Sequence, residues 1–159
     1  SGRRLYLAEC LDPVTCEEAA VGVYDIDALT GDLTPVPGSP FAVGVPPGPA
    51  ALVADPNGRF LHIARGGRLV IVVDPVDGSL RRSSSVDYGQ GLPVSLGSSP
   101  SGRRIYGATG NQLTTFLLDE RFVALTPVDT ISLPGLAAGL AVDPLGRVVA
   151  VTLECTDPA

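Results

Sequence analysis

The sequence predicts an all-β protein, a partial β-propeller of about three and a half four-stranded blades. Three observations carry this: a motif recurring at a fixed interval, strand-like runs between Gly/Pro turns in each repeat, and no sustained helical apolar spacing. Asp55-Pro56-Asn57-Gly58-Arg59 recurs as Ser99-Pro100-Ser101-Gly102-Arg103 and as Asp143-Pro144-Leu145-Gly146-Arg147, its glycines 44 and 44 residues apart. A clipped copy, Ser1-Gly2-Arg3, opens the chain. Each copy precedes a short apolar run, Leu5–Ala8, Leu61–Ala64, Ile105–Ala108 or Val149–Thr152.

Taken in order, the first unit lacks an opening strand. It holds Leu5–Ala8, then Val21–Asp27, then the turn Thr30-Gly31-Asp32-Leu33. The second reads as strands Ala50–Ala54, Phe60–Ala64, Leu69–Val73 and Ser79–Val86. Pro56-Asn57-Gly58, Gly66-Gly67 and Asp77-Gly78 join them, with glycine supplying positive φ at the turns. The third follows with Val94–Ser98, Arg104–Ala108, Leu113–Leu118 and Phe122–Thr126. In the fourth, Leu136–Val142 comes nearest to helical spacing, but Pro134, Gly135 and Gly139 break it. The units divide as 1–45 (the remainder of the first blade), 46–90, 91–133 and 134–159 (the start of the fourth). A lone four-stranded blade has two apolar faces; stacking around an axis buries both.

Composition agrees. With 45% hydrophobic and 18% charged residues, a disordered chain is excluded. Aromatics are 5% and Trp and Met are absent, so Val, Leu, Ile and Ala must build the core. Gly (19) and Pro (15) make up roughly a fifth of the chain, against a usual share of about 12%. The eleven basic residues are all Arg, and the net charge is −6. Nucleic-acid binding is not expected, because counterion release needs clustered cations. No apolar run reaches the ~18 residues of a membrane-spanning helix.

The stretch Val23-Tyr24-Asp25-Ile26-Asp27-Ala28-Leu29-Thr30-Gly31-Asp32-Leu33-Thr34-Pro35-Val36-Pro37-Gly38-Ser39-Pro40-Phe41 resembles the lactonase-like seven-bladed propellers. These are relatives of the cycloisomerase-type 6-phosphogluconolactonase and of the Tyr-Val-Thr-Asn surface-repeat propellers. The resemblance is specific over residues 21–65 and looser elsewhere. The third unit departs from it, with Asp119-Glu120-Arg121 where the earlier units have Thr30-Gly31-Asp32 and Asp77-Gly78-Ser79. Lactone hydrolysis is the activity the resemblance implies.

The chain starts at the second strand of one blade and stops after the second strand of another. Glu154-Cys155-Thr156-Asp157-Pro158 repeats Glu9-Cys10-Leu11-Asp12-Pro13. The expected partners are therefore further blades, from the same longer chain or from a second copy. Cys10 and Cys16 flank the loop after the first apolar run. A disulfide between them is the expectation, contributing about 2–2.5 kcal/mol, with free thiols as the alternative. Cys155 is the odd cysteine, with its partner expected beyond Ala159. A disulfide places the protein outside the reducing cytosol: secreted, periplasmic or on the cell surface. No signal peptide opens the chain, so a mature or trimmed product is expected.

Strand alternation puts the first and third turns of each blade on one face of the ring, and the second turn and the crossovers on the other. The variable segments fall on the second face: the Cys10–Cys16 loop, Arg65–Arg68, Asn111-Gln112 and the Pro-rich crossover from about Pro35 to Pro49. Arg65, Arg68, Asn111 and Gln112 are the candidate binding residues. No catalytic residue, metal site or cofactor is assigned. His62, the lone His, occupies a slot held by Tyr6, Tyr106 and Ala150 in the other units and reads as a packing residue rather than a general base. Glu9, Asp12, Glu17 and Glu18 lack the spacing of a Ca²⁺ loop. The recurrent Arg3, Arg59, Arg103 and Arg147 read as structural rather than as an anion-binding ring. Gly-x-Ser-x-Gly, metal-binding His pairs and phosphate loops are missing, and Ser83-Ser84-Ser85 and Ser98-Ser99 carry no signature of an activating base.

Two functions follow. The favoured one is an exported interaction or scaffold module, presenting its loop-rich face to a protein or glycan partner or building a surface assembly. The other is a lactonase-like hydrolase of sugar lactones, with Arg65 and Arg68 as oxyanion donors.

Overall fold

The computed structural model describes residues 3–11, 17–43, 51–65, 68–72, 74, 78–87, 94–121 and 124–154. Among these residues every regular element is a strand, and every strand pairing is antiparallel. The first sheet holds β1 (Arg3–Cys10), β2 (Ala19–Ile26), β3 (Leu33–Pro35) and β4 (Phe41–Ala42). The second runs in order through β5 (Ala51–Ala54), β6 (Leu61–Arg65), β7 (Arg68–Val72) and β8 (Arg82–Asp87). The third does the same through β9 (Ser95–Ser98), β10 (Arg104–Thr109), β11 (Gln112–Asp119) and β12 (Ala124–Ser132). The fourth pairs β13 (Ala137–Val142) with β14 (Val149–Leu153). The chain is a partial β-propeller.

Two elements differ from the sequence-based expectation. The crossover expected from Pro35 returns to the sheet as β4, which pairs β2 beside β3. Val36 and Val43 are both buried, and their amides donate to the carbonyls of Val23 (3.0 Å) and Ala19 (3.1 Å). The Val23 amide in turn donates to Ser39 Oγ at 2.9 Å. Pro37–Pro40 is thus a bulged interruption of one outer strand. The other difference is β12, which continues past Thr126 through Pro127 to Ser132. Its register against β11 slips between Thr115 and Phe116, leaving Val128 unmatched. As the outermost strand, β12 tolerates a proline, because an edge position needs no ladder donor.

The sheets bury their faces against one another. Ala19, Val21, Val23, Val36 and Val43 of the first pack with Leu61 and Ile63 of the second. Ala64 of the second, with Ala51 and Val53 beside it, packs with Leu96, Ile105, Phe116, Leu118 and Leu125 of the third. Along β6, then, alternate residues serve two different neighbours, as the period-two geometry of a strand requires. Between the third and fourth sheets, Gly97 leaves room for Leu140 and Val142; a Cβ there would sit 2.3 and 2.7 Å from them. The Leu140 amide also donates to Ser95 Oγ at 3.1 Å, bridging the two innermost strands.

The recurrent Asp/Ser-Pro-x-Gly-Arg motif forms one turn three times. Asp55 Oδ1 accepts the amides of Arg59 (2.6 Å) and Phe60 (2.7 Å), and Oδ2 that of Asn57 (3.2 Å). Asp143 does the same for Arg147, Val148 and Leu145. Ser99, shorter, takes only the Arg104 amide on Oγ at 3.0 Å. In each turn the glycine amide donates to the carbonyl of the first residue, at 3.0, 2.8 and 2.9 Å. The glycines carry φ values of 67°, 71° and 68°.

Successive turns also stack. A Cβ on Gly102 would meet Asp55 Oδ2 at 3.1 Å and Pro56 Cδ at 3.5 Å; one on Gly146 would meet Pro100 Cδ at 2.8 Å. A Cβ on Gly58 would meet nothing within 4 Å. The turns climb like a staircase, with Gly102 seated on Pro56 and Gly146 on Pro100. Gly58→Ala and Gly146→Ala share the same left-handed backbone strain, about 1–2 kcal/mol. Only Gly146→Ala also forces two sheets apart. Urea unfolding is expected to show Gly146→Ala as the more damaging by about 1–2 kcal/mol; equal losses would contradict the stacking.

Candidate functional site

The second face of the ring carries the β6–β7 and β10–β11 hairpins. Arg65, the last residue of β6, pairs in register with Arg68, the first of β7. Thr109 pairs with Gln112 across the two-residue turn Gly110-Asn111, with Gly110 at φ 53°. Asn111 and Gln112 are exposed. The backbone of this turn is engaged: the Gly110 carbonyl accepts the Ala137 amide and the Asn111 carbonyl the Leu133 amide, both at 2.7 Å. This hairpin therefore anchors the crossover into β13 and leaves the Asn111 and Gln112 side chains facing solvent. Alternation puts both hairpins on one face.

Cys10 closes β1 opposite Ala19 and is disulfide-bonded. The other two cysteines, Cys16 and Cys155, lie outside the described residues, as does Asp12 of the acidic group. Glu17 and Glu18 are exposed, and Glu9 is half-buried. The Leu11 amide donates to the Glu18 carbonyl at 2.9 Å, extending the β1–β2 hairpin by one step.

The repeated arginines act through their backbone. The amides of Arg59 and Arg147 are capped by the turn carboxylates, while their guanidinium groups diverge. Arg59 Nη1 lies 3.0 Å from Glu120 Oε2 on the next sheet, and this hydrogen bond raises the Arg59 pKa. Arg147 Nε lies 3.6 Å from Asp143 of its own turn. Glu120 belongs to the triplet that departs from the repeat, so the departure supplies an inter-sheet ion pair. Sequence reasoning missed that pair because no periodicity links residues 59 and 120. It also missed a second set of aspartate turns between the third and fourth strands. Asp27 Oδ1 accepts the Leu29 and Thr30 amides at 2.8 Å each, which lowers its pKa, the Thr30 bond most of all. Asp119 Oδ1 accepts the Arg121 amide at 2.9 Å.

At the inner edge, a cavity of about 290 Å³ is lined by Val53, Ala54 and Pro56, by Leu96–Ser98 and by Leu140–Val142. It sits by the staircase turns, away from the hairpins above. Its side chains are apolar apart from the Ser98 hydroxyl, which donates to the Ser99 carbonyl at 3.1 Å, and polar backbone atoms make up much of the remaining lining. Such a pocket offers contact area without an acid or base.

His62 is fully buried on β6, opposite Val53 and Ile71, with the Phe60 ring 6.5 Å away. Neither ring nitrogen has a hydrogen-bond partner among the described residues. Burial lowers its pKa to about 4, partly offset by the Asp55 carboxylate. His62 is neutral at pH 7, shielded from solvent, and packs on the side of β6 that faces the third sheet.

The fold places this chain beside known propellers of the lactonase type. It is similar to the solved structure of a candidate 6-phosphogluconolactonase from Bacteroides fragilis, with a TM-score of 0.65 at 21% identity over 94% of this chain and 47% of that one. The periplasmic gluconolactonase PpgL of Pseudomonas aeruginosa gives a TM-score of 0.59 at 21% identity, over 84% of this chain and 40% of that one. A protein of unknown function from Desulfotomaculum acetoxidans gives 0.65 at 22%, over 85% and 40%. The chain thus spans two-fifths to just under half of these structures' own lengths. No family model and no curated relative matches it.

The depressed His62 pKa has a stability consequence with a definite sign. The unfolded histidine takes its proton near pH 6.5, the folded one only near pH 4. Between those values the unfolded state binds more protons, so stability falls as pH drops from about 6.5 to 4. The full loss is about 3 kcal/mol. Urea unfolding from pH 7.5 to 4 is expected to show this slope, flattened in His62→Tyr, which restores the residue type of the Tyr6 and Tyr106 slots. An identical slope in both proteins would refute the assignment.

Proposed function

We propose that these blades form part of a lactonase-like propeller that hydrolyses sugar lactones, with the hairpin face as its substrate side. The observation that carries the reading is the likeness in fold to the Bacteroides fragilis and Pseudomonas aeruginosa proteins. In lactone opening, a water oxygen attacks the ring carbonyl carbon, the bond from that carbon to the ring oxygen breaks, and the ring oxygen takes a proton. The product is a hydroxy acid. Negative charge builds on the carbonyl oxygen at the transition state, and cationic donors stabilise it there. Arg65 and Arg68, adjacent across their hairpin, are the proposed donors, and Asn111 and Gln112 the proposed sugar-hydroxyl contacts. His62 takes no part, being buried and neutral. The base that activates water lies outside the residues assigned here.

An exported scaffold module is the weaker reading. Exposed Leu11, Val94 and Leu136 flank the hairpin and crossovers, whereas exposed Leu5, Leu7, Leu117 and Ile131 lie along strands. Stacking of further blades accounts for the latter without a foreign partner. Residence outside the cytosol belongs to the proposal as well, supported by the Cys10 disulfide and by the periplasmic location in the name of PpgL. Pairing of Cys10 with Cys16 is part of it.

Hydrolysis of δ-gluconolactone and of its 6-phosphate, followed by acid release against spontaneous opening, tests the proposal. A rate above background is expected, with kcat/KM lowered about 10²-fold in Arg65→Ala or Arg68→Ala. A rate no higher than spontaneous opening would retire it.

A further inference from the structure

The two ends of the strands carry different charge. Of the eleven arginines, only Arg65 and Arg68 stand at the hairpin end; the others lie at the opposite end, in or beside the first and third turns of the blades. Four ion pairs form at that turn end: Arg4 with Asp25 at 3.1 Å, Arg59 with Glu120 at 3.0 Å, Arg81 with Asp74 at 3.8 Å and Arg147 with Asp143 at 3.6 Å. Positive and negative groups are interleaved there.

The hairpin end is balanced toward acid. Glu9 lies near the end of β1, Glu17 and Glu18 precede β2, and Glu154 follows β14. Asp87 ends β8 at the register position opposite Arg68, which is itself opposite Arg65. Glu17, Glu18 and Glu154 are exposed and form no ion pair among the described residues. In blade order, the Arg65–Arg68 and Asn111–Gln112 hairpins therefore stand between a sheet carrying Glu17 and Glu18 and a sheet carrying Glu154.

We infer that this face selects an uncharged lactone over its phosphorylated counterpart, with Glu17, Glu18 and Glu154 as the charges that set the preference. The inference rests on the lactonase reading and narrows its substrate class. A phosphate monoester carries about −1.5 to −2 at neutral pH, so it approaches the acidic face against repulsion, while a neutral sugar lactone does not. At 0.1 M salt a charge is felt over about 10 Å. Carboxylates on the flanking sheets thus act on a lactone held at these hairpins, and charges across the ring do not. The glutamates work at a distance and touch neither the reacting carbonyl nor the attacking water.

The test compares kcat/KM for δ-gluconolactone and for its 6-phosphate, each corrected for spontaneous opening, between about 20 mM and 0.5 M salt. The neutral lactone is expected to be preferred at least about tenfold at low salt, and the preference to shrink as salt rises. Glu17→Lys with Glu18→Lys, at exposed positions, should shrink it at low salt with unchanged circular dichroism. Equal or faster turnover of the 6-phosphate at low salt would overturn the inference and leave the lactonase reading standing. A preference indifferent to salt would overturn it too, because size rather than charge would then be the cause. Hydrolysis of neither lactone would overturn both.

Discussion

Each sheet in this chain is apolar on both sides, and that single constraint organises everything else. β6 alone shows it: Leu61 and Ile63 face one neighbour, Ala64 the other. A strand with apolar residues on both pleats is stable only between two covers. The staircase of turns sets how the covers are spaced. A carboxylate or hydroxyl closes each turn from within, and the glycine at positive φ lets the next turn sit directly on the proline below. All three glycines meet the conformational need, and Gly102 and Gly146 meet a packing need as well.

Much of this was legible in the amino-acid order, because it is local and periodic. Turn glycines, β-branched runs and the 44-residue interval mark the strands to within a few residues. Where the reading failed, the cause was tertiary. Pro37-Gly38-Ser39-Pro40 has the composition of a crossover, but buried Val36 and Val43 on either side return the chain to the sheet. Pro127 reads as a strand end, yet an outermost position with a register slip absorbs it. Glu120 looked like a lapse from the repeat; its meaning lies on another sheet, in Arg59.

The candidate site was less legible than the fold. Its residues sit in hairpins whose backbone is fixed by local pairing, whereas the approach of one hairpin to another depends on how whole sheets are placed. Position on a face follows from strand alternation; convergence of side chains does not. The lone histidine shows the difference. Its chemistry suggests a base, but a slot shared with Tyr6 and Tyr106 points to packing, and burial that holds its pKa near 4 agrees.

Stacking of successive turns is the claim on which the propeller account stands, and proton–proton contacts measured by NMR address it most directly. The account predicts cross-peaks from the α-protons of Gly102 to the δ-protons of Pro56, and from those of Gly146 to the δ-protons of Pro100. A spectrum with every cross-strand contact inside each sheet, but neither of these two, would mean independent sheets and would contradict it.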